Sequence, residues 1–417
     1  MHLLTILHQV YPHKGFVYGT PSFSQDEGRK SIRVPLRPRK GSRPVCSGCG
    51  DAGPGYDQLA ERKFQFVPLL GLAVFFVYRM RRVDCPRCGV TVERVPWARG
   101  KEHCTTAFAC YLTFWAKHLS WERVAEIFHV SWGTVFAAVE RAVEWGLARR
   151  QLAGIKAIGV DEVQWQRGHH YLTLVYQIEE GCKRLLHIEM DRTADSLRGF
   201  FTMIGTEVAA GLKYVASDMW QPYLSVIAKL APQAIHVLDR YHLVATLNKA
   251  IDQIRAEEAR QLKADGYEPV LKHSRWCLLK RPENLTDKQT VKLQEILRYN
   301  LRSVRAYLHK ADLQRLWDYQ SPYWAGEFLR EWTARVMRSR LEPLKKVARS
   351  MRSHMGLILN WFKARGTISS GSVEGMNYNV KLAMKNAYGY RSFRAIEVAL
   401  YHKLGALPES ELTHRFV

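Results

Sequence analysis

Two cysteine pairs, Cys46-x2-Cys49 in CSGCG and Cys85-x2-Cys88 in CPRCG, stand 35 residues apart, and nothing else in the chain restricts the local fold as strongly. Gly48 and Gly50 in the first pair, and Pro86 and Gly89 in the second, predict tight turns that aim two thiolates at one point. Two such knuckles make a tetrahedral four-thiolate site, expected to hold one structural Zn2+. Disulfides are the poorer reading, because the N-terminal MHLLTILHQVYPHKG has neither the charged start nor the small-residue cleavage site of a signal peptide, so a reducing cytoplasm is expected. Between the pairs runs FVPLLGLAVFFVY, residues 66–78, which is too short to span a bilayer and is interrupted by Pro68 and Gly71. It reads as two short strands of a zinc ribbon over 44–100. Cys104, Cys110, Cys182 and Cys277 are scattered and read as small buried apolar residues. Residues 1–43 have no assignable role.

Charge narrows the class of partner. The chain carries 62 Lys and Arg against 39 Asp and Glu, a formal charge of +23, which favours a polyanion and most simply DNA. Residues 1–150 hold 22 bases and 12 acids, 151–252 hold 10 and 11, and 253–417 hold 30 and 16. Basic flanks therefore enclose one balanced segment. Within the first flank, 101–150 predicts three helices, with Ser120 and Ser131 as N-caps. Val124, Ala125, Ile127, Phe128, Val130, Val135 and Val139 supply a small core, the pattern of a helix-turn-helix that binds DNA. Trp132, Gly133 and Thr134 open the third helix and are expected to face the major groove.

The balanced segment, 151–252, carries the chemistry. IKAIGVDEVQW predicts a strand ending on Asp161; HHYLTLVYQI and KRLLHIEMD predict an antiparallel pair turning at Glu180-Gly181. A helix follows, then KYVASD ending on Asp218, another helix, and AIHVLD ending on Asp239. Three antiparallel strands followed by alternating helices and strands is the order of an α/β, ribonuclease-H-like (RNase H-like) fold. Carboxylates at the tips of neighbouring strands can share divalent cations. A third acid is expected in SVEGMNYNVKLAMKN, where Glu374 falls in the first turn of a helix capped by Ser370 or Ser372; Lys381 and Lys385 follow it and are expected to hold phosphates, and Asn377 is expected to bind DNA. Glu162 should point away from the metals by strand alternation. Asp239 reads as a structural or supporting acid, His169 and His170 as hydrogen-bonding residues, and Glu189 and Asp191 as solvated. The span 253–365 is helical in period and contains Trp276, Trp317, Trp324, Trp332 and Trp361, which are expected to be core, although its excess of Arg and Lys predicts one face turned to DNA.

VDEVQW, VASDMWQPY, VLDRYHL and SVEGMNYNVKLAMKNAYGYRSF resemble the signature blocks of the ISL3 family of bacterial insertion-sequence transposases, members of the DDE superfamily. The resemblance covers nearly the whole chain: zinc ribbon, helix-turn-helix, a catalytic domain in two parts (151–252 and 366–417) and a helical insertion between them. It implies that Asp161, Asp218 and Glu374 form a catalytic triad holding two Mg2+ or Mn2+ ions. It also implies metal-dependent cleavage and strand transfer at terminal inverted repeats into target DNA, by a homodimer or larger assembly with no membrane partner and a place at the nucleoid. Two other readings are open from the residues: an RNase H-like nuclease that does not join strands, and a DNA-binding regulator derived from a transposase. A metal-free zinc-ribbon interaction protein is weaker.

Overall fold

The computed structural model describes residues 2–26, 28–267, 269–364, 368 and 370–415. The chain divides into two compact units, 1–150 with 383–417, and 151–382.

The first unit opens with helix α1 (Leu3–Val10) and strands β1 (Phe16–Tyr18), β2 (Ser22–Asp26) and β3 (Arg29–Pro38), followed by β4 (Gly55–Leu69), β5 (Leu72–Cys85) and β6 (Gly89–Val92). These form one six-stranded sheet in the order β1-β3-β5-β4, with β2 on β3 and β6 on β5. Residues 1–43 are therefore not a separate segment. Their strands share a core with β4 and β5, in which Val34, Phe64, Phe76 and Trp97 are fully enclosed. The strands expected within 66–78 are present but longer, because pairing continues from Leu69↔Leu72 down to Gly55↔Val83. A two-residue loop joins them, with Leu70 and Gly71 both at positive φ, the conformation that matches the twist of a hairpin.

Helices α2 (Thr106–His118), α3 (Trp121–Phe128) and α4 (Trp132–Leu147) follow as expected. Ser120 and Ser131 cap α3 and α4, accepting from Arg123 N and Thr134 N. Val124, Ala125, Val135 and Val139 are buried, while Ile127 is 43 % exposed, a departure from the expected core. The buried stripe of α3 runs through Trp121, Val124 and Ala125, and at the helical period Ile127 falls outside it.

The second unit is built on a five-stranded sheet of order β11-β10-β7-β8-β9. Its strands are β7 (Ala157–Gln166), β8 (His170–Glu179), β9 (Cys182–Met190), β10 (Tyr214–Ser217) and β11 (Ile235–Leu238), with helices α5 (Ala194–Ala210) and α6 (Gln221–Leu230) between the last three. β7, β8 and β9 are antiparallel, whereas β10 runs parallel to both β7 and β11. One face buries Ile158, Val160, Phe200, Val215 and Tyr223 in a common core.

After β11 the chain enters a helical layer: α7 (Arg240–Ala264), α8 (Arg275–Leu279), α9 (Asp287–Leu297), α10 (Arg302–Gln314), α11 (Pro322–Met337), α12 (Glu342–Ser353) and α13 (Met355–Lys363). Trp317 and Trp332 are core here, and Trp361 packs beside them. Trp276 and Trp324 are instead 52 % and 60 % exposed, which corrects the expectation that all five tryptophans are interior. Each lies early in its helix, ahead of the stretch that buries Cys277 and Leu278 in α8, or Leu329 and Trp332 in α11. Helix α14 (Ser370–Asn386) crosses from the second unit into the first. Helices α15 (Phe393–Leu404) and α16 (Glu411–Arg415) then belong to the first unit, α15 against α4 and α16 against α2. Arg394 fixes α15 through Glu140 and Glu144 at 2.7 Å each. Residues 383–417 thus group with the first unit, whereas the sequence groups 366–417 with 151–252.

Candidate active site

The site is set by where two parallel strands stop pairing. β7 and β10 pair from Ala157↔Tyr214 to Gly159↔Ala216. Asp161 and Asp218 each lie two residues beyond that last pair, so side-chain alternation turns both to the face on which Gly159 and Ala216 lie. β7 itself does not end at Asp161 as expected; it runs on to Gln166 against β8, with Asp161 opposite Leu174. What ends there is the parallel ladder, and the acid stands at its open end.

Helix α14 covers this face because Gly159 has no side chain. A Cβ on Gly159 would lie 2.4 Å from Val373 Cγ2. Asn377 comes one turn after Val373 and reaches Asp161, two residues after Gly159, so helix and strand keep step. Its Nδ2 donates to Asp161 Oδ2 at 2.5 Å, and its Oδ1 accepts from the Tyr176 hydroxyl at 2.7 Å. Asn377 is buried and its amide is engaged within the protein, not turned out toward DNA as expected from the sequence. Lys381 is exposed further along α14, and Lys385, also exposed, falls in the part of the helix that belongs to the first unit.

Glu374 lies on α14 between Val373 and Asn377 and is exposed. It is not in the first turn: α14 begins at Ser370, so Ser370 and Ser372 are both inside the helix, and the cap position falls outside the described residues.

Asp161 is 8 % exposed and Asp218 7 %. Burial raises the Asp161 pKa above the usual carboxylate range, opposed by the Glu162 backbone N–H that donates to its Oδ1 at 2.8 Å. Asp218 Oδ1 accepts from Trp220 N at 3.0 Å, and its Oδ2 is bound by Arg192 Nη2 at 2.6 Å. Arg192 Nη1 also reaches Glu162 Oε1 at 3.0 Å, and its guanidinium lies 4.6 Å from the centre of the Trp220 ring. Glu162 leaves the Asp161 face as alternation predicts, yet it joins the cluster through Arg192. Burial pushes it up to about 8, assisted by the Asp218 charge.

Asp239 caps α7, accepting from Tyr241 N at 2.8 Å, and is pushed up to about 6 chiefly by burial, with the Glu374 and Asp161 charges adding to it. His242, one turn later, places Nε2 3.9 Å from Asp161 Oδ1 and 3.7 Å from Asp239 Oδ2. Sequence reasoning missed Arg192 and His242. The Asp239-x2-His242 spacing, one helical turn beyond a strand tip, was the available signal for the second; Arg192 follows the exposed end of β9 and had none.

Four acids, Asp161, Glu162, Asp218 and Asp239, thus share one arginine and one histidine, and the Glu374 charge acts on Asp239. An all-oxygen, partly buried, net negative donor set fits hard divalent cations. Among the described residues, the group whose ligand atoms all converge within 4.8 Å is Cys46, Cys49, Cys85 and Cys88; the three carboxylates do not close to that distance. The cysteine cluster fits a zinc ribbon. Gly50 N donates to Cys46 O at 3.0 Å to close the first knuckle, and a Cβ on Gly48 would stand 3.1 Å from Cys88 Sγ. On α4, Trp132 is 47 % exposed and stacked on Phe136, and the Thr134 hydroxyl is shared with Ser131 Oγ at 2.9 Å.

No helix among the described residues is long and apolar enough to cross a membrane. The chain is 28% identical over 381 residues to the transposase for insertion sequence element IS1001 of Bordetella parapertussis, covering 91% of this chain and 92% of that protein. It is 29% identical over 402 residues to the transposase for insertion sequence element IS1557 of Mycobacterium tuberculosis, covering 90% and 89%. The family model described as a transposase, of the ISL3 type within the DDE group, matches residues 158–400, from the start of β7 through α14 and into α15. With more than half of the chain matched, this protein belongs to the ISL3 family of DDE transposases.

Proposed function

We propose that the protein binds the terminal inverted repeats of an insertion sequence and catalyses metal-dependent DNA cleavage and strand transfer, with Asp161, Asp218 and Glu374 as the catalytic carboxylates. The observation that carries this reading is the pair of buried aspartates at the open end of the β7/β10 ladder, covered by the helix that carries Glu374. The strand order β9-β8-β7-β10-β11, antiparallel and then parallel, supports an RNase H-like catalytic domain. Asp161, Asp218 and Glu374 would hold two Mg2+ or Mn2+ ions, which when bound lower the pKa of water and offset charge on the entering and leaving oxygens.

The chain's own residues prepare the site. Asn377 fixes Asp161 Oδ2, and the Glu162 N–H fixes Oδ1, so the carboxylate is held in one orientation. Asp218 is oriented in the same way by Trp220 N. Water attacks phosphorus at the element end, the bond to the 3′ oxygen breaks, and a 3′-hydroxyl is left. That hydroxyl then attacks a target phosphodiester and displaces the next 3′ oxygen, so one bond forms for each one broken. Lys381 and Lys385 supply cations to the DNA backbone.

Duplex binding is assigned to a zinc ribbon with one structural Zn2+ on the four cysteines and to a helix-turn-helix formed by α3 and α4, with Trp132 and Thr134 at the base edges. The insertion adds the exposed cations Arg338 and Arg340, with Lys346 and Arg349 beside Glu342, Arg349 at 3.9 Å. Two ends must be cut together, so the active form is assigned as a homodimer or larger assembly, working at the nucleoid. The test is nicking and joining of a labelled element-end duplex in Mg2+. Wild type should do both, and Asp161→Asn should bind the ends but do neither. Binding without cutting by the wild type in any divalent metal overturns the catalytic reading in favour of a regulator; cutting without joining favours a simple nuclease.

A further inference from the structure

We propose that Arg192 is a positioning residue that holds the place of a divalent cation on Asp218, and that it moves wholly onto Glu162 when the cation takes that oxygen. The inference rests on the divalent-cation reading of Asp218 above. Asp218 Oδ1 already accepts from Trp220 N at 3.0 Å, which makes Oδ2 the oxygen a cation would favour. Arg192 occupies Oδ2 at 2.6 Å. It therefore does not merely sit near the metal position; it uses the donor atom that a metal would favour.

The place to which it withdraws is already built. Arg192 now uses only one oxygen of Glu162, Oε1 at 3.0 Å. The other, Oε2, is buried and meets no hydrogen-bond donor among the described residues. A planar guanidinium matches a carboxylate with two parallel N–H···O bonds, so rotating the fork off Asp218 lets both nitrogens close on Glu162 and satisfies the orphaned oxygen. Trp220 lies under the guanidinium at 4.6 Å and provides the surface on which it turns. Before metal arrives, Arg192 offsets the mutual repulsion of Asp161, Glu162 and Asp218 and keeps Asp218 in its binding orientation. After it arrives, the fork is parked beside the site rather than expelled into water.

The test is Mn2+ binding to the full-length, zinc-loaded protein, followed by the resonance of free Mn2+, for wild type, Arg192→Gln and Asp218→Asn. Removing the competitor should tighten binding by about tenfold or more in Arg192→Gln, the scale set by losing one charge-assisted fork. A nearby positive charge that never touched Asp218 would also weaken metal binding, so the second readout is tryptophan emission during Mg2+ titration. The part contributed by Trp220, taken as wild type minus Trp220→Phe, should change as the cation binds and should not change in Arg192→Gln. This measurement on the wild type stands even where Arg192→Gln folds poorly. Equal Mn2+ affinity in wild type and Arg192→Gln, or no Trp220 response in a wild type that binds metal, overturns the proposal and leaves the cation reading intact. Binding by wild type and Arg192→Gln no better than by Asp218→Asn overturns the cation reading itself, and the proposal with it.

Discussion

Gly159→Ala is the smallest change that should separate the third carboxylate from the first two. The backbone at Gly159 is an ordinary strand conformation, so alanine is not excluded by φ. The obstacle is space: the new Cβ would stand 2.4 Å from Val373 Cγ2 and 3.2 Å from Ile178 Cγ2, whereas carbon atoms in contact prefer about 3.5–4.0 Å. β7 cannot retreat, because Gly159 is paired with Tyr176 on one side and Ala216 on the other. The helix must therefore move by roughly 1 Å or more, at an overpacking cost of about 1–3 kcal/mol. Glu374 is the residue next to Val373, and a misplacement of that size costs on the order of 10²-fold in rate. The assay is single-turnover nicking of an element end, alongside denaturant unfolding of the same protein. Gly159→Ala should lose about 10²-fold in nicking and bind DNA normally, and Val373→Ala in the same chain should restore most of the rate by removing the clashing methyl. Full nicking by Gly159→Ala at unchanged stability would refute the idea that α14 seats on Gly159 to place Glu374.

Other consequences reach the rest of the chain. Metal analysis should find one zinc per chain, lost in Cys85→Ser, and strong chelators should melt the first unit while the second keeps its own unfolding transition. Replacing Arg338, Arg340 and Lys346 with glutamine should weaken DNA binding for every sequence alike and reduce the salt slope by about 0.9 for each phosphate contact removed, as titration of binding against salt would read; an unchanged slope would take the DNA off this face. Lys310 is buried, donates to the carbonyls of Leu278, Leu279 and Lys280, and is pushed down by burial to about 8. Between pH 8 and 10.5 the unfolded chain binds a proton that the folded one does not, so wild-type stability should rise with pH across that window relative to Lys310→Met, by roughly 3 kcal/mol at most. A flat difference across the window would show that Lys310 stays charged.

What could be read from the sequence followed from local rules. The knuckles declared themselves by spacing, Ser120 and Ser131 by capping chemistry, and the strand order by alternating apolar runs. Asp161 and Asp218 were legible because acids ending apolar strands need a reason. The rest depended on which elements face each other. Glu374 was placed in a first turn because the cap position was misjudged, and Asn377 was turned outward because only the packing of Val373 on Gly159 shows that this side of α14 faces the sheet. A glycine inside a strand marks close backbone approach, so Gly159 was a usable clue that went unused. Arg192 enters the site from an exposed turn after β9, and its two partners lie 30 and 26 residues away in sequence, a relation that no periodicity encodes.

The central claim is that Asp161, Asp218 and Glu374 act as one unit, and the most direct measurement compares Asp161→Asn, Asp218→Asn, Glu374→Gln and the triple variant in Mg2+-dependent nicking of an element end, with DNA affinity measured in parallel. Residues that act together are non-additive, so each single variant should lose nearly as much rate as the triple while binding DNA as wild type does. Nicking by Glu374→Gln at close to the wild-type rate, with the two aspartate variants inactive, would contradict the account and move the third ligand elsewhere in the cluster.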